Sequence, residues 1–306
     1  MSRLLRFIPD GGSLVEVTCR SIHSRLLLRP SRLLNEIIIG ALARSKQRYG
    51  LRIICFAFVS SHFHLLLEVN DARQLSRFMG YFNSKLAREV GRLTGWREKI
   101  FGRRYQAILV SPEEAAQIER MAYVLSHGAK EGLVDSPRDW PGVHAVRALL
   151  GEEELKGYWF DRTKEYAARH RREDFGPLKY ATEETLTLDP LPCWKHLTDQ
   201  ERRCRVVALV AEIEAQAALQ REKTRIPSLG VDRILAQDPQ SRPSHSKRSP
   251  APFCHAASKA WRQLLRTAYG EFVDAFRRAA ERLKSGDRNV QFPQGSFPPP
   301  LPFVGG

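Results

Sequence analysis

Residues 52–69 read RIICFAFVSSHFHLLLEV, and this stretch decides the fold. It is rich in β-branched and aromatic residues and is interrupted once, by Ser60-Ser61. That is the pattern of two adjacent strands joined by a tight turn near Val59–Ser61, not of one helix. Side chains alternate across a strand, so His62 and His64 share one face while Phe63 enters the core. Two imidazoles two residues apart on a rigid strand make a preformed clamp for a divalent ion; two surface histidines on an edge strand are the alternative. The neighbourhood favours the clamp, because the pair interrupts an apolar run in which an uncompensated polar group is costly.

Upstream, LVEVTCR (14–20) alternates, with Val15, Val17 and Cys19 on one face and Glu16, Thr18 and Arg20 on the other, as a half-buried strand does. A helix is predicted over about 32–49. Downstream, Leu75, Phe78, Phe82, Leu86, Val90 and Leu93 recur at three- and four-residue spacing, which predicts a helix over about 73–94 stopped by Gly95. Residues 105–110, YQAILV, read as a strand. SPEEAAQIERMAYVLSHG (111–128) then reads as a helix, with Ser111 as N-cap, Pro112 at the first position, Glu114 completing a capping box and Gly128 as the C-terminal cap. The order β-α-β-β-α-β-α is neither a Rossmann nor a barrel pattern. It predicts an α+β fold, an antiparallel sheet with helices packed on one or both faces.

Beyond residue 150 a mainly helical C-terminal extension is expected. Residues 178–195 are Thr/Pro-rich and read as irregular, and about 199–224 reads as a helix. The segment 233–252 is basic, rich in Pro and Ser, and too polar to pack. A last amphipathic helix is expected over about 255–284, before a proline-rich, extended tail. The predicted division is an α+β domain at 1–150, a helical extension at 151–232, a linker at 233–252, and a helix with tail at 253–306.

The chain has 306 residues and a formal charge of +15. Residues 1–150 hold 23 basic against 13 acidic residues, so two thirds of the excess lies in the N-terminal half. A polyanion is the natural partner, since each neutralised phosphate releases counterions; a basic protein without a nucleic-acid role is the bland alternative. The five cysteines are scattered with no C-x-x-C, which excludes a zinc ribbon and suits a reducing cytosol. There is no apolar run long enough to span a membrane and no secretory h-region at the start, so an intracellular, cytoplasmic location is expected.

Tyr123 and His127 lie four apart on the predicted 111–128 helix, hence on one face and one turn apart. They fall off the stripe of Ile118, Met121, Ala122 and Leu125. A tyrosine packed at a sheet edge would look the same from spacing alone. Taken with His62 and His64, the pair suggests an ion with open positions beside a phenolate that attacks a phosphodiester in line. Arg103-Arg104-Tyr105 offers guanidinium forks for phosphates and a ring for stacking on an unpaired base, or else a solvated loop of charges. Walker, dinucleotide-binding, serine-hydrolase and H-E-x-x-H motifs are absent, as is a carboxylate cluster of the two-metal nuclease kind.

As a set, VEVTCR, FVSSHFHLLLEV, FGRRYQAILVS and YVLSHGAKEGLVDSPRDWPGVHA resemble, in order and spacing, the single-tyrosine HUH transposases, close to the REP-associated tyrosine transposases. The resemblance covers about half the chain. It implies a ferredoxin-like antiparallel sheet with packed helices (the HUH core). It implies Tyr123 as a nucleophile that forms a 5′-phosphotyrosine link, with His62 and His64 as ligands of Mg²⁺ or Mn²⁺. The family's third ligand, four residues after the tyrosine and usually Asn or Gln, is here His127. Imidazole favours softer ions, so Mn²⁺ or Zn²⁺ gains over Mg²⁺. The usual Asn-Pro after that helix is replaced by His127-Gly128. Single-stranded DNA next to a hairpin is the implied substrate, with Arg20, Arg103, Arg104, Tyr105 and Lys130 as expected DNA contacts and a homodimer as one arrangement open to such a chain. The rival expectations are a DNA- or RNA-hairpin-binding protein that keeps the fold without cutting, and an unrelated hydrolase using the three histidines with water.

Overall fold

A computed structural model describes residues 5–9, 11–171, 176, 178–243 and 252–299. The hairpin of 52–69 forms as its sequence requires. Strand β2 (Arg52–Val59) pairs antiparallel with β3 (His62–Val69) around Ser60-Ser61, with Val59 opposite His62 and one irregularity between Ile53 and Cys55. Strand β1 (Ser13–Arg20) lies on the other side of β3, with Thr18 opposite His64 and Arg20 opposite His62. Strand β4 (Gln106–Val110) pairs antiparallel with β1. The order β2-β3-β1-β4 is the ferredoxin-like arrangement, and the fold is α+β. A two-residue strand, β7 (Cys254–His255), extends the sheet by pairing parallel to β4, so the five-stranded sheet is mixed.

Both faces of the sheet are covered, which explains why β2 and β3 are apolar almost throughout. Helices α1 (Arg32–Tyr49) and α2 (Ala72–Thr94) pack together on one face. Their starts are fixed by side-chain caps, since Ser31 accepts the Leu34 amide at 3.3 Å and Asp71 accepts the Gln74 amide at 2.6 Å. Each ends at a left-handed glycine, Gly50 and Gly95. Phe63 lies between Phe58 and Phe82 at centroid distances of 4.9 and 5.7 Å, and each such ring contributes about 2 kcal/mol on burial. Helix α3 (Glu114–Leu125) covers the opposite face, the one that carries His62 and His64.

Helix α3 starts later than expected. Ser111 is not its cap: the Ser111 amide donates to the His255 carbonyl at 2.9 Å and its hydroxyl to Glu113 at 2.7 Å. The backbone still follows the sheet at 111, so the helix begins at Glu114 without a side-chain cap. It ends at Leu125 with Ser126 as C-cap, ahead of Gly128.

A short helix α4 (Val146–Leu149) leads to β5 (Leu155–Phe160), α5 (Arg162–His170) and β6 (Ala181–Leu186). The β5–β6 pair forms a second sheet over the outer side of α1, so part of the 178–195 stretch expected to be irregular is strand. Helix α6 (Asp199–Thr224) is capped by Thr198 and Glu201 and packs beside α3 and α4. Helix α7 (Val231–Ala236) stands where the polar linker was expected to begin. Its Ile234 is fully buried against Val59, Val134 and Trp140, because one isoleucine and a hydrophobic cleft suffice to dock a single turn. Residues 244–251 of the expected linker and 300–306 of the expected tail lie outside the described residues. Helix α8 (Lys259–Lys284) begins at the Ser258 cap and is tied to the core by the rings of Phe7, Phe253, Tyr269 and Phe272. Among the described residues, no helix is long and apolar enough to cross a membrane.

Candidate metal centre and its tyrosine

Strand alternation puts Glu16, Thr18 and Arg20 of β1 on the same face as His62 and His64 of β3, and α3 closes over them. Val124 and Leu125 are fully buried against the sheet, which fixes the rotation of α3. His127, just beyond its end, is thereby carried inward to 1% exposure, while Tyr123 stays 41% exposed at the rim. The potential ligand atoms of His62, His64 and His127 all lie within 4.8 Å of one another. That is close to the roughly 4 Å spanned by opposite nitrogen ligands of one small divalent ion. The His64 and His127 rings lie 3.9 Å apart between centroids, and the Tyr123 ring lies 5.0 Å from His127 and 5.7 Å from His64.

Each imidazole has its Nδ1 engaged. His64 Nδ1 meets Glu16 Oε1 at 2.7 Å, His127 Nδ1 meets the Val124 carbonyl at 3.0 Å, and His62 Nδ1 meets the Ser61 hydroxyl at 3.1 Å. A carboxylate and a carbonyl only accept, so the neutral His64 and His127 carry their protons on Nδ1 and keep Nε2 as a lone pair. Burial holds His62 and His127 well below the usual imidazole range, and neighbouring cations push the same way. His64 is also lowered by burial, although Glu16 pulls it back. Three neutral imidazoles with lone pairs are the form a metal binds. This donor set fits a divalent ion, and the three buried histidines could hold one.

Around this core the charges are close-set. Burial raises the Glu16 carboxyl, but its hydrogen bonds to His64 and Thr18 and the charge of Arg120 outweigh that and leave it below the usual range. Lys130 Nζ lies 2.9 Å from His127 Nε2 and 3.5 Å from the Tyr123 ring centroid, and desolvation brings its ammonium down to about 8. Burial, with Glu16 second, raises the Tyr123 phenol. Arg20 lies at the exposed end of β1 and acts electrostatically on His62, His64 and Tyr123.

The structure thus gathers Arg20 and Lys130 about the histidines and the tyrosine. Arg103 and Arg104 are exposed on the loop before β4, which reaches β1 through a bridge from Phe101 to Ser21. Tyr105 does not serve as a stacking platform. It is 9% exposed, part of the core, and roofed by the Arg6 guanidinium at 4.5 Å from its ring centroid. Just ahead of β4 its ring is packed into the core, so no base can lie on it as the chain is folded.

No protein-family model matches the chain, and no curated protein matches it. Solved structures do. One is a REP-associated tyrosine transposase bound to a REP hairpin, 15% identical, covering 49% of this chain and 86% of that one, with a TM-score of 0.39. Another is a protein of Deinococcus radiodurans R1 provisionally described as a transposase, 16% identical, covering 40% of this chain and 96% of that one, with a TM-score of 0.28.

Two residues at the site escaped the sequence reading. Glu16 was placed on the solvent side of a half-buried strand, yet it is 1% exposed because α3 covers that side too. Arg120, on the α3 face that packs on the sheet, donates to Glu16 Oε2 at 2.8 Å. The available signal was the phase of β1: once its register with β3 is known, Glu16 and Thr18 must flank His64.

Proposed function

We propose that this chain is a transposase-like enzyme that cuts and rejoins single-stranded DNA beside hairpins, with Tyr123 as nucleophile and a divalent ion held by His62, His64 and His127. The observation that carries this reading is the pairing of three buried, neutral imidazoles with a rim-exposed tyrosine whose ring touches two of them. A bound ion would act as a Lewis acid on a non-bridging phosphate oxygen, with Mg²⁺ and Mn²⁺ the expected ions and a softer one favoured by His127.

The rest is done by the chain's own groups. The Tyr123 oxygen attacks phosphorus and the bond from phosphorus to the 3′ oxygen breaks. The phenol proton passes to solvent and a solvent proton is taken up by the departing oxygen, giving a free 3′-hydroxyl and a 5′-phosphotyrosine. Attack of a 3′-hydroxyl on that ester reverses the charge flow, frees Tyr123 and joins strands. Partial desolvation and Glu16 raise the phenol, so it carries its proton at rest and loses it in the course of the attack. Arg20, Lys130, Arg103 and Arg104 neutralise the incoming phosphates. In this reading residues 1–150 carry the chemistry and the later segments buttress it.

A labelled hairpin oligonucleotide with a single-stranded flank, incubated with Mn²⁺ and the full chain, tests the proposal. Wild type should give a cut strand and a covalent protein–DNA band, and Tyr123→Phe should give neither. Cutting that survives Tyr123→Phe would point to water as the nucleophile. Binding without cutting by wild type would leave a hairpin-binding protein.

A further inference from the structure

Glu16 is a charged side chain in the middle of a central strand, 1% exposed, where an apolar residue would pack at less cost. Its two oxygens are divided. Oε1 accepts from His64 Nδ1 at 2.7 Å and from the Thr18 hydroxyl at 3.3 Å. Oε2 accepts from Arg120 Nη1 at 2.8 Å. Arg120 is itself only 9% exposed, lies three residues before Tyr123 on α3, and holds its guanidinium carbon 4.8 Å from the Tyr123 ring centroid. One carboxylate therefore joins a metal-binding imidazole on the sheet to the nucleophile's ring on the helix.

We infer that Glu16 is the positioning residue of the site: it holds His64 with the proton on Nδ1 and the lone pair on Nε2, and through Arg120 it sets the Tyr123 ring against the metal centre. The inference rests on the proposed metal-dependent tyrosine chemistry. The logic is chemical. A carboxylate can only accept, so the partner nitrogen must carry the proton and the other nitrogen must be free to ligate. Arg120 cannot leave Glu16 without leaving a buried charge uncompensated, so the guanidinium beneath the tyrosine is fixed in place. Thr18, whose hydroxyl lies 3.0 Å from His64 Nδ1, completes the cradle.

Three measurements on the full chain separate this inference from the reading beneath it. The first is a titration with Co²⁺ alone, followed by its visible absorption bands. Wild type should bind, and Glu16→Gln, which keeps the shape but removes the charge, should bind roughly 10- to 100-fold more weakly. Equal affinity in Glu16→Gln overturns the positioning role and leaves the metal site standing. No binding by wild type overturns both. The second uses Arg120→Met, which keeps the carboxylate beside His64. Co²⁺ affinity should then fall much less than in Glu16→Gln, while the rate of covalent adduct formation at saturating metal and DNA falls at least tenfold; an unchanged rate overturns the link to Tyr123. The third needs no variant and so survives a Glu16→Gln protein that fails to fold. Long-range ¹H–¹⁵N spectra of the metal-free protein should show His64 protonated on Nδ1, and protonation on Nε2 would overturn the inference.

Discussion

Three sets of neighbours determine what the imidazole at position 127 can bind: the Val124 carbonyl on Nδ1, Lys130 Nζ 2.9 Å from Nε2, and the other two histidines across the cavity. A third nitrogen donor shifts the site from hard, oxygen-loving ions toward borderline ones. His127→Asn should lower Co²⁺ or Zn²⁺ affinity at least tenfold while leaving Mn²⁺-supported cutting measurable, and calorimetric titration of both proteins would check it. His144 makes a separate prediction. Burial holds it down at about 4, and its Nδ1 accepts the Val146 amide, so it is neutral when folded. An unfolded imidazole titrates near 6.5. Between those values the unfolded chain binds the proton and the folded chain does not, so this residue's contribution is intact above about pH 6.5 and is lost as pH falls toward 4, by about 3 kcal/mol in full. Urea unfolding at pH 7 and pH 5 should show a larger loss in wild type than in His144→Asn; equal losses would contradict it. At this scale the sequence spoke clearly where one strand's alternation decided the matter, as for His62, Phe63 and His64. It misled where a second layer intervened. Glu16 looked solvated because nothing in β1 alone reveals that α3 covers its far side, and Tyr105 looked like a stacking ring because it follows two exposed arginines, although its ring is buried in the core just ahead of β4.

Among the elements, α1 and β5 approach closely at two glycines. A methyl group at Gly40 would lie 2.3 Å from the Tyr158 carbonyl, and one at Gly157 would lie 2.1 Å from the Glu36 carbonyl. Both obstacles are backbone, which cannot rotate aside. Gly40→Ala or Gly157→Ala should therefore destabilise the fold by about 3 kcal/mol and detach the β5–β6 pair, seen as a lowered urea midpoint and early proteolysis within β5 or β6. An alanine at either position with an unchanged midpoint would contradict the packing. Long periodic elements were readable: α1, α2 and α6 were expected within a residue or two of their observed bounds. Strand β6, ATEETL, was missed because only Leu186 of its six residues is buried, and its place is set by pairing with β5. Strand β7 has two residues, too few to show a period.

For the whole molecule, the excess of basic residues in the first 150 positions matches the end of the sheet where Arg20, Lys130 and the 103–104 loop stand. If these residues meet phosphates, binding of a single-stranded flank should weaken linearly with the logarithm of salt concentration, by about 0.7 log unit per contact. Arg103→Ala should reduce that slope by about one contact's share while leaving Co²⁺ affinity unchanged, and an unaltered slope would remove Arg103 from the interface. Charge was legible from composition, but its placement around one histidine cluster followed only from the packing of α3. The most direct test of the tyrosine chemistry is to trap the covalent complex formed with Mn²⁺ and a hairpin oligonucleotide, trim the DNA with nuclease, and locate the modified residue by peptide mass spectrometry. A nucleotide joined through its 5′-phosphate to Tyr123 is the predicted result; an adduct on another residue, or cut DNA with no adduct at all, would contradict it.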